Sequence, residues 1–340
     1  MKAIIPVAGV GTRLRPQTHT VPKALVPVAG KPILAHILDR LLPLGVDELV
    51  LVVGYLGEKV VEYVRGRYRF QVHVVEQQER KGLGHAIHLT RPVVADDEPV
   101  LIVLGDTIVE ADLQPVVAGG QNAIAVRRVE DPRRFGIAEV EHGRVVRLVE
   151  KPDEPTSNLA LVGIYYLTQP GLLYRALERV IEEGRKVKGE YQLTDGLQIM
   201  VEEGAELTTF EVETWHDCGN PDTLLETNRV LLERSPGWAG PFEGSIIRPP
   251  VAIDPSAEVR ASIIGPYVSI GAGAVIANSI VSDSIIGEGA RVDGVLLRHS
   301  LVGEEARVQG SASRLNIGDH SEIVIGSGSV DEPERGLVQG

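Results

Sequence analysis

The chain has 340 residues, of which 43% are hydrophobic and 24% charged, and its net charge is −13. This length and composition predict a globular protein of about two domains with room for a buried core. The acidic chain has no basic block, and a nucleic-acid binder needs a positive face. We therefore expect no nucleic-acid partner.

Targeting and redox signals are sparse. Cys218 is the single cysteine, which excludes an intramolecular disulfide. The apolar stretch at the start, within MKAIIPVAGVGTR, is short for a signal peptide and runs directly into glycines. No apolar run approaches the roughly 20 residues that cross a bilayer. We expect a cytoplasmic protein with no membrane partner.

The first hundred residues alternate between two kinds of apolar pattern. The patterns predict strand 2–7, helix 33–44, strand 48–53, helix 58–68, strand 72–75, helix 84–90 and strand 100–104. This order is typical of a Rossmann-like, mainly parallel sheet with helices on both faces. Ligands of such sheets bind at the edge where the strands reach their carboxyl ends.

The pattern changes after Ile124. Strands are predicted at 137–140, 145–148 and 161–167, and helices at 172–183 and 193–203. Strands that follow one another with few helices between them indicate antiparallel additions to the sheet, which makes it mixed.

A boundary rich in Pro and Gly lies at 235–244, and a repeat begins beyond it. Aliphatic-Gly pairs recur at Ile270, Ile286, Val302 and Ile317, and each has a second aliphatic residue six positions later: Ile276, Val292, Val308 and Ile323. This phasing predicts a parallel, left-handed β-helix of hexapeptide repeats and disfavours a β-sandwich. The predicted domains are 1–240 (α/β), 245–328 (β-helix) and a tail at 329–340.

A glycine-rich loop follows the first predicted strand. It runs GVGTRLRP from Gly9 and is followed by Pro22-Lys23. Glycines there let backbone N–H groups approach a polyphosphate, and Arg13 and Lys23 add positive charge. A dinucleotide fingerprint requires glycine where Leu14 stands, and no Gly-Lys-Ser/Thr closes a Walker A loop. An NAD-dependent oxidoreductase is therefore disfavoured.

The stretch GVGTRLRPQTHTVPKALVPVAGKPIL resembles the signature of sugar-1-phosphate nucleotidyltransferases, the glucose-1-phosphate thymidylyltransferases and uridylyltransferases. The resemblance extends to about residue 230. It implies that Arg13 and Lys23 neutralise the nucleotide phosphates and the leaving pyrophosphate. The nucleotide-binding residues that it implies are Ala8, Gly9, Gly11, Thr12, Arg13, Lys23, Gln77, Gly82 and Asp106.

Two aspartates are candidate metal ligands. Asp106 follows the strand 100–104, at the edge where ligands bind, and Asp217 lies in Trp-His-Asp-Cys-Gly. Mg²⁺ favours one or two protein carboxylates together with phosphate oxygens and water. Both positions match the metal aspartates of the resembled family, so we expect Mg²⁺ here rather than two turn or capping aspartates.

The run from Glu76 to Ala86 resembles the base-reading loop of that family, with Gln77 facing a pyrimidine and Gly82 approaching it. An amide can pair with both the carbonyl and the imino edge of uracil or thymine. Gly-Leu-Gly-His-Ala favours uridylyl enzymes, whereas Arg-Pro-x-Thr-His-Thr favours thymidylyl enzymes with β-helical tails. The base therefore stays open between dTTP and UTP.

The sugar-phosphate residues implied by the resemblance are Gly136, Glu150, Lys151, Val162 and Glu190. Glu150 would accept hydrogen bonds from sugar hydroxyls, and Lys151 would pair with the sugar phosphate. The expected reaction transfers a nucleoside monophosphate from the triphosphate to glucose-1-phosphate, with Arg13, Lys23, Asp106 and Lys151 as the catalytic residues.

Three alternatives stay open. The first is a mannose-1-phosphate guanylyltransferase, which Gln77 and Gly-Leu-Gly-His disfavour. The second is a bifunctional enzyme with an acyltransferase tail, whose base would be His299 or His320. The third is a catalytically silent regulatory subunit, which retention of the charged residues disfavours. The β-helix is expected to pack on the first domain or to mediate homo-oligomerisation.

Overall fold

The computed structural model describes residues 1–234, 237 and 240–310. Its main element is a nine-stranded mixed sheet in which the strand order is 71–76, 48–53, 2–6, 100–103, 159–167, 123–128, 208–211, 144–150 and 136–141. The first four of these strands pair in parallel. The strand Leu159–Leu167 joins them antiparallel. The predicted α/β class with antiparallel additions is confirmed.

The α-helices of the described chain lie on both faces of this sheet. They span Ile33–Leu41, Gly57–Arg67, Leu83–His88, Gln114–Gly119, Pro170–Glu182, Leu193–Glu202 and Pro221–Arg234. Short 3-10 turns span Thr12–Leu14, Gln17–His19, Lys23–Leu25, Leu42–Leu44, Arg91–Val93 and Pro132–Arg134. In the first strand Ala3 and Ile5 face one apolar core and Ile4 faces the other. This alternation is the cause of the two helical layers.

Several elements differ from the sequence-based prediction. The strands Thr107–Glu110, Ala123–Arg128, Thr208–Glu211 and Thr214–Asp217 were not predicted. Thr107–Glu110 and Thr214–Asp217 pair with each other in a separate two-stranded sheet. Another hairpin joins Pro27–Val28 to Lys31–Pro32. The four strands named first have six residues or fewer and pair with partners distant in sequence, and the hairpin strands have two residues each, so local pattern marks all of them weakly.

Beyond residue 245 the chain forms a parallel β-helix with three faces. Its strands are Ile246–Ile247, Val251–Ile253, Glu258–Arg260, Ile263–Ile264, Val268–Ile270, Val275–Ala277, Ile280–Ser282, Ser284–Ile286, Arg291–Asp293, Leu296–Arg298, Leu301–Val302 and Arg307–Gln309. Each face is a ladder of four parallel strands. The β-helical repeat is confirmed at Ile270, Ile286 and Val302.

One coil precedes the predicted repeat. Ile253 pairs with Ile270, 17 residues later, and Ile270 pairs with Ile286, 16 residues later. Asp254 replaces the expected glycine after Ile253, and the longer spacing further disguises this coil. The predicted repeat at Ile317 and Ile323 and the domain end at 328 lie outside the described residues, and the domain boundaries stay a prediction.

The β-helix packs against the first domain along the helix Pro221–Arg234. Asn228 is fully buried, and its side chain binds Ser269 Oγ and the carbonyl of Tyr267 in the β-helix, as well as the N–H of Ala29. Arg229 forms a bidentate ion pair with Asp283. The tail therefore rests on the helix that follows Asp217. Among the described residues, no helix has both the length and the apolar composition to span a membrane.

Candidate active site

The glycine loop lies at the carboxyl end of the first strand and borders a cleft of about 470 Å³. A Cβ on Gly9 would meet no neighbour within 4 Å, so the backbone is open there. Gly11 has φ +68°, a conformation that disfavours other residues. Nine predicted residues line this cleft, which we call the glycine-loop cleft: Ala8, Gly9, Gly11, Thr12, Lys23, Gln77, Gly82, Asp106 and Glu190.

Lys23 and Asp106 form an ion pair inside the cleft. Lys23 Nζ donates to Asp106 Oδ2 at 2.8 Å, and Thr107 Oγ1 donates to Oδ1 at 3.1 Å. Burial alone would raise the pKa of Asp106, but the adjacent ammonium of Lys23 and these hydrogen bonds outweigh it and lower the pKa. The carboxylate is therefore ionised, as metal binding requires. The Lys23 side chain is 11% exposed, whereas that of Asp106 is 48% exposed and remains accessible to a ligand.

Asp217 lies at the end of the strand that pairs with Thr107–Glu110. Its backbone is registered opposite Thr107, the residue after Asp106. A Cβ on Gly219 would lie 2.7 Å from Asp217 Oδ1 and 2.9 Å from a guanidinium nitrogen of Arg13. Glycine at 219 therefore lets Arg13 and Asp217 lie side by side. The structure brings Arg13, Lys23, Asp106 and Asp217 to one region.

Two carboxylates alone would hold a divalent cation only if substrate and water supplied its other ligands. Within the described ranges, no group of three or more Asp, Glu, His or Cys side chains could enclose a metal. A pair of carboxylates with open positions is what Mg²⁺ uses when phosphates and water complete its coordination. Cys218, the residue after Asp217, is fully buried. Burial raises the pKa of its thiol to about 12, so the thiol stays protonated.

The loop 76–86, which we call the base loop, is held by a backbone contact that only glycine permits. Gly82 has φ +109°, and a Cβ there would lie 2.4 Å from the carbonyl oxygen of Tyr191 and 2.8 Å from Glu190 Cβ. Tyr191 N–H donates to the Lys81 carbonyl at 2.7 Å. Gln77 is buried beneath this loop, with its amide nitrogen 3.1 Å from the Gly82 carbonyl.

A second group of polar side chains, which we call the Glu150 cluster, surrounds Glu150 at the end of the strand Arg144–Glu150. Glu150 pairs across the sheet with Gly136, and a Cβ on Gly136 would lie 2.9 Å from Glu150 Oε2. Thr194 Oγ1 donates to Oε2 at 2.6 Å, and Lys151 Nζ lies 3.0 Å from Oε1. Lys151 adopts φ +46°, a left-handed backbone conformation. Gly136, Glu150 and Lys151 are therefore together, as predicted.

The segment 190–194 joins the glycine-loop cleft to the Glu150 cluster. Glu190 lines the glycine-loop cleft and contacts Gly82, and Thr194 binds Glu150 at the other end. Val162 is 2% exposed with its side chain in the core, so only its backbone can reach a ligand. The next residue, Gly163, accepts from Leu104 N–H at 2.9 Å, and Leu104 lines the cleft.

Sequence reasoning missed three polar residues of the site. Thr194 orients Glu150, and His85 binds Gln77 at 3.1 Å. Asp195 has an enclosed Oδ2 without a hydrogen-bond partner among the described residues, and burial with the nearby Glu150 carboxylate raises its pKa. Their only sequence signal was their position inside the segments 76–86 and 190–195. The partner of Thr194 lies 44 residues away, and the contact between His85 and Gln77 depends on how the loop folds.

His299, one of the two candidate general bases of the acyltransferase alternative, has both ring nitrogens engaged by carboxylates. His299 Nδ1 lies 2.7 Å from Asp283, and Nε2 lies 3.2 Å from Asp222. With a carboxylate at each ring nitrogen, His299 serves as a bridge between the β-helix and the helix Pro221–Arg234. His320 lies outside the described residues.

Comparison with known proteins identifies the family of the first domain. The family model described as "Nucleotidyl transferase" matches residues 2–234. The chain belongs to this family.

Similar proteins include members of two specificities. A glucose-1-phosphate thymidylyltransferase from Streptomyces antibioticus is 33% identical, over 96% of this chain and 100% of that protein. A UTP–glucose-1-phosphate uridylyltransferase from Haloferax volcanii is 34% identical, over 69% of this chain and 98% of that protein. The first of these alignments extends through the β-helix of this nucleotidyltransferase, and the second spans about two thirds of its chain.

A solved structure supports the fold of the first domain. UDP-glucose pyrophosphorylase in complex with UDP-glucose superposes with a TM-score of 0.58 and 24% identity, over 68% of this chain and 98% of that chain. At this identity the likeness concerns the fold alone.

We predict that Gly82→Ala weakens binding of nucleoside triphosphate by about tenfold, roughly 1.4 kcal/mol. The added Cβ collides with the Tyr191 carbonyl and requires an unfavourable φ, which displaces the base loop. Isothermal titration calorimetry with UTP and dTTP measures the effect.

Gly66→Ala is the matched control, because its Cβ meets nothing within 4 Å in the helix Gly57–Arg67. Wild-type affinity is expected for it. Equal affinities of the Gly82→Ala variant and the wild type for both nucleotides would contradict the assignment of this loop to the nucleotide site.

Proposed function

We propose that this nucleotidyltransferase transfers a nucleoside monophosphate from dTTP or UTP to glucose-1-phosphate and releases pyrophosphate. The observation that carries the proposal is the Lys23–Asp106 ion pair in the glycine-loop cleft, together with the separate cluster of Glu150, Lys151 and Thr194. A cleft and a polar cluster joined by one segment suit a reaction between two phosphorylated substrates. One similar protein is named as a thymidylyltransferase and the other as a uridylyltransferase, and both names give glucose-1-phosphate as the substrate.

The chemistry needs positioning and charge neutralisation more than proton transfer. A phosphate oxygen of the sugar phosphate attacks the α-phosphorus in line, the bond to the β-phosphate bridging oxygen breaks, and pyrophosphate leaves. The attacking oxygen is already anionic near neutral pH, so the barrier lies in the repulsion between two phosphates. Fixed cations at the point of reaction lower that barrier.

The charged side chains divide this task by their positions. Arg13 and Lys23 lie beside the glycine loop, where they would bind the triphosphate and the leaving pyrophosphate. Lys151 would bind the sugar phosphate, while Glu150 accepts from sugar hydroxyls. Thr194 holds Glu150 Oε2 in place for this role.

Mg²⁺ is the proposed metal cofactor, with Asp106 and Asp217 as its protein ligands. A bound divalent cation would supply Lewis-acid neutralisation of phosphate charge. Lys23 is the present partner of Asp106, and phosphate oxygens would share this ammonium when the triphosphate binds.

We predict that pyrophosphate release requires glucose-1-phosphate, a divalent cation, and dTTP or UTP. Asp106→Asn should lower kcat by roughly 100-fold or more, because it removes a metal-binding charge and the partner of Lys23. A coupled pyrophosphate assay with dTTP, UTP, GTP, CTP and ATP against several sugar-1-phosphates measures this, with EDTA and added Mg²⁺ as further conditions.

Asp112→Asn is the matched control. Asp112 is exposed and only accepts from Gln114 N–H, a bond that asparagine can keep. Its kcat is expected to equal that of the wild type. Undiminished Mg²⁺-dependent turnover by a folded Asp106→Asn variant would refute the metal assignment, and a preference for GTP with mannose-1-phosphate would refute the substrate assignment.

We also propose that the chain forms a homo-oligomer through one face of its β-helix. Ile246, Ile263, Ile280 and Leu296 are registered neighbours on successive coils. Three of these side chains are unusually exposed for aliphatic residues: 56% for Ile246, 45% for Ile280 and 72% for Leu296. Alternate residues of the same strands fill the interior of the coil. A contiguous aliphatic row on a flat face is typical of an association surface.

We predict that Leu296→Asp, which places a charge in this row, converts the oligomer to monomers at micromolar concentration. Analytical ultracentrifugation measures the change. Leu42→Asp, at a leucine that is 53% exposed on the first domain, is the control and should keep the wild-type mass. A wild-type chain that is monomeric throughout, or an oligomer indifferent to Leu296→Asp, would exclude this surface.

A further inference from the structure

The amide of Gln77 has one possible orientation. Its Nε2 lies 3.1 Å from the carbonyl oxygen of Gly82. A backbone carbonyl can only accept, so the amide nitrogen and not the amide oxygen must face it. The orientation follows from the chemistry of the partner.

His85 accepts the second hydrogen of the same amide. Its Nδ1 lies 3.1 Å from Gln77 Nε2. An amide nitrogen donates and does not accept, so Nδ1 must be the bare nitrogen of a neutral imidazole that carries its proton on Nε2. Burial, with Lys81 and His88 nearby, lowers the pKa of His85, and this keeps the ring neutral near pH 7.

Because these two contacts occupy the amide nitrogen, Gln77 can offer a ligand only a hydrogen-bond acceptor. Both N–H groups are bound within the loop, and Gln77 lines the glycine-loop cleft. Oε1 is then the amide atom available to a base. The sequence suggests an amide that pairs with both the carbonyl and the imino edge of a pyrimidine, whereas in this geometry Gln77 offers the base its acceptor only.

We propose that His85 is a positioning residue that makes the enzyme select uracil or thymine over cytosine. Uracil and thymine carry an imino N–H at ring position 3, which Gln77 Oε1 can accept. Cytosine has a bare nitrogen there, so two acceptors would face each other, an arrangement that leaves a buried acceptor unpaired. The proposal rests on the proposed function, since it concerns the base of that same substrate.

The test compares two substitutions at His85. His85→Leu removes one of the two acceptors that hold Nε2, so the Gly82 carbonyl holds the amide with one N–H and the other N–H becomes free for the base. His85→Asn places an amide oxygen near the position of Nδ1 and restores the acceptor. The probes are UTP, dTTP and CTP, with KM and kcat measured for each by pyrophosphate release and affinity measured separately by calorimetry.

We expect His85→Leu to raise KM for UTP and dTTP about tenfold, while kcat stays within about twofold. Its preference for these nucleotides over CTP should fall about tenfold. His85→Asn should recover most of both properties. His88→Leu, one turn further along the same helix and without contact to Gln77, is the control and should keep the wild-type preference.

Wild-type selectivity in His85→Leu, or no recovery in His85→Asn, would overturn the proposal, because a purely structural role would not distinguish these variants by base. Calorimetry separates this failure from failure of the proposed function. A wild type that binds UTP and dTTP over CTP, with the preference lost in His85→Leu, supports the proposal even if no sugar-1-phosphate is converted.

Discussion

The ion pair between Lys23 and Asp106 connects the parts of the site. Lys23 belongs to the loop that follows the first strand, and Asp106 follows the strand next to it in the sheet. Because the two strands are parallel neighbours, both loops emerge at one edge. The pair places a nearly buried cation and a half-exposed carboxylate at this edge, where the proposed reaction needs opposite charges for a polyphosphate and its metal.

The segment 190–194 extends this edge into a site for two substrates. Its start contacts the base loop at Gly82, and its end holds Glu150 through Thr194. The T-shaped contact between Phe135 and Trp215, with ring centroids 4.6 Å apart, connects the residue before Gly136 to the strand that ends in Asp217. The proposed base, sugar and metal sites are thus coupled by packing between strands and loops distant in sequence. A displacement of one of these segments would therefore displace the segments packed against it.

The sequence predicted those parts of the site that are local. Arg13, Lys23 and Asp106 could be placed because glycines and apolar strands precede them, and the β-helix could be placed because its period repeats. His85 and Thr194 could not be assigned roles, since these depend on side-chain contacts with Gln77 and Glu150. The predicted β-helix domain begins at 245 and includes the first coil, but the aliphatic-Gly repeat does not mark this coil because it is offset by 17 residues and lacks the glycine of the later coils.

The central claim is that Asp106 and Asp217 form a single metal site at the edge of the glycine-loop cleft. The most direct measurement is a crystal structure with Mn²⁺ and the product nucleotide-sugar, in which anomalous scattering locates the metal. We expect one anomalous peak in contact with both carboxylates and the product phosphates. A product bound in the cleft with its metal remote from both aspartates would contradict the account.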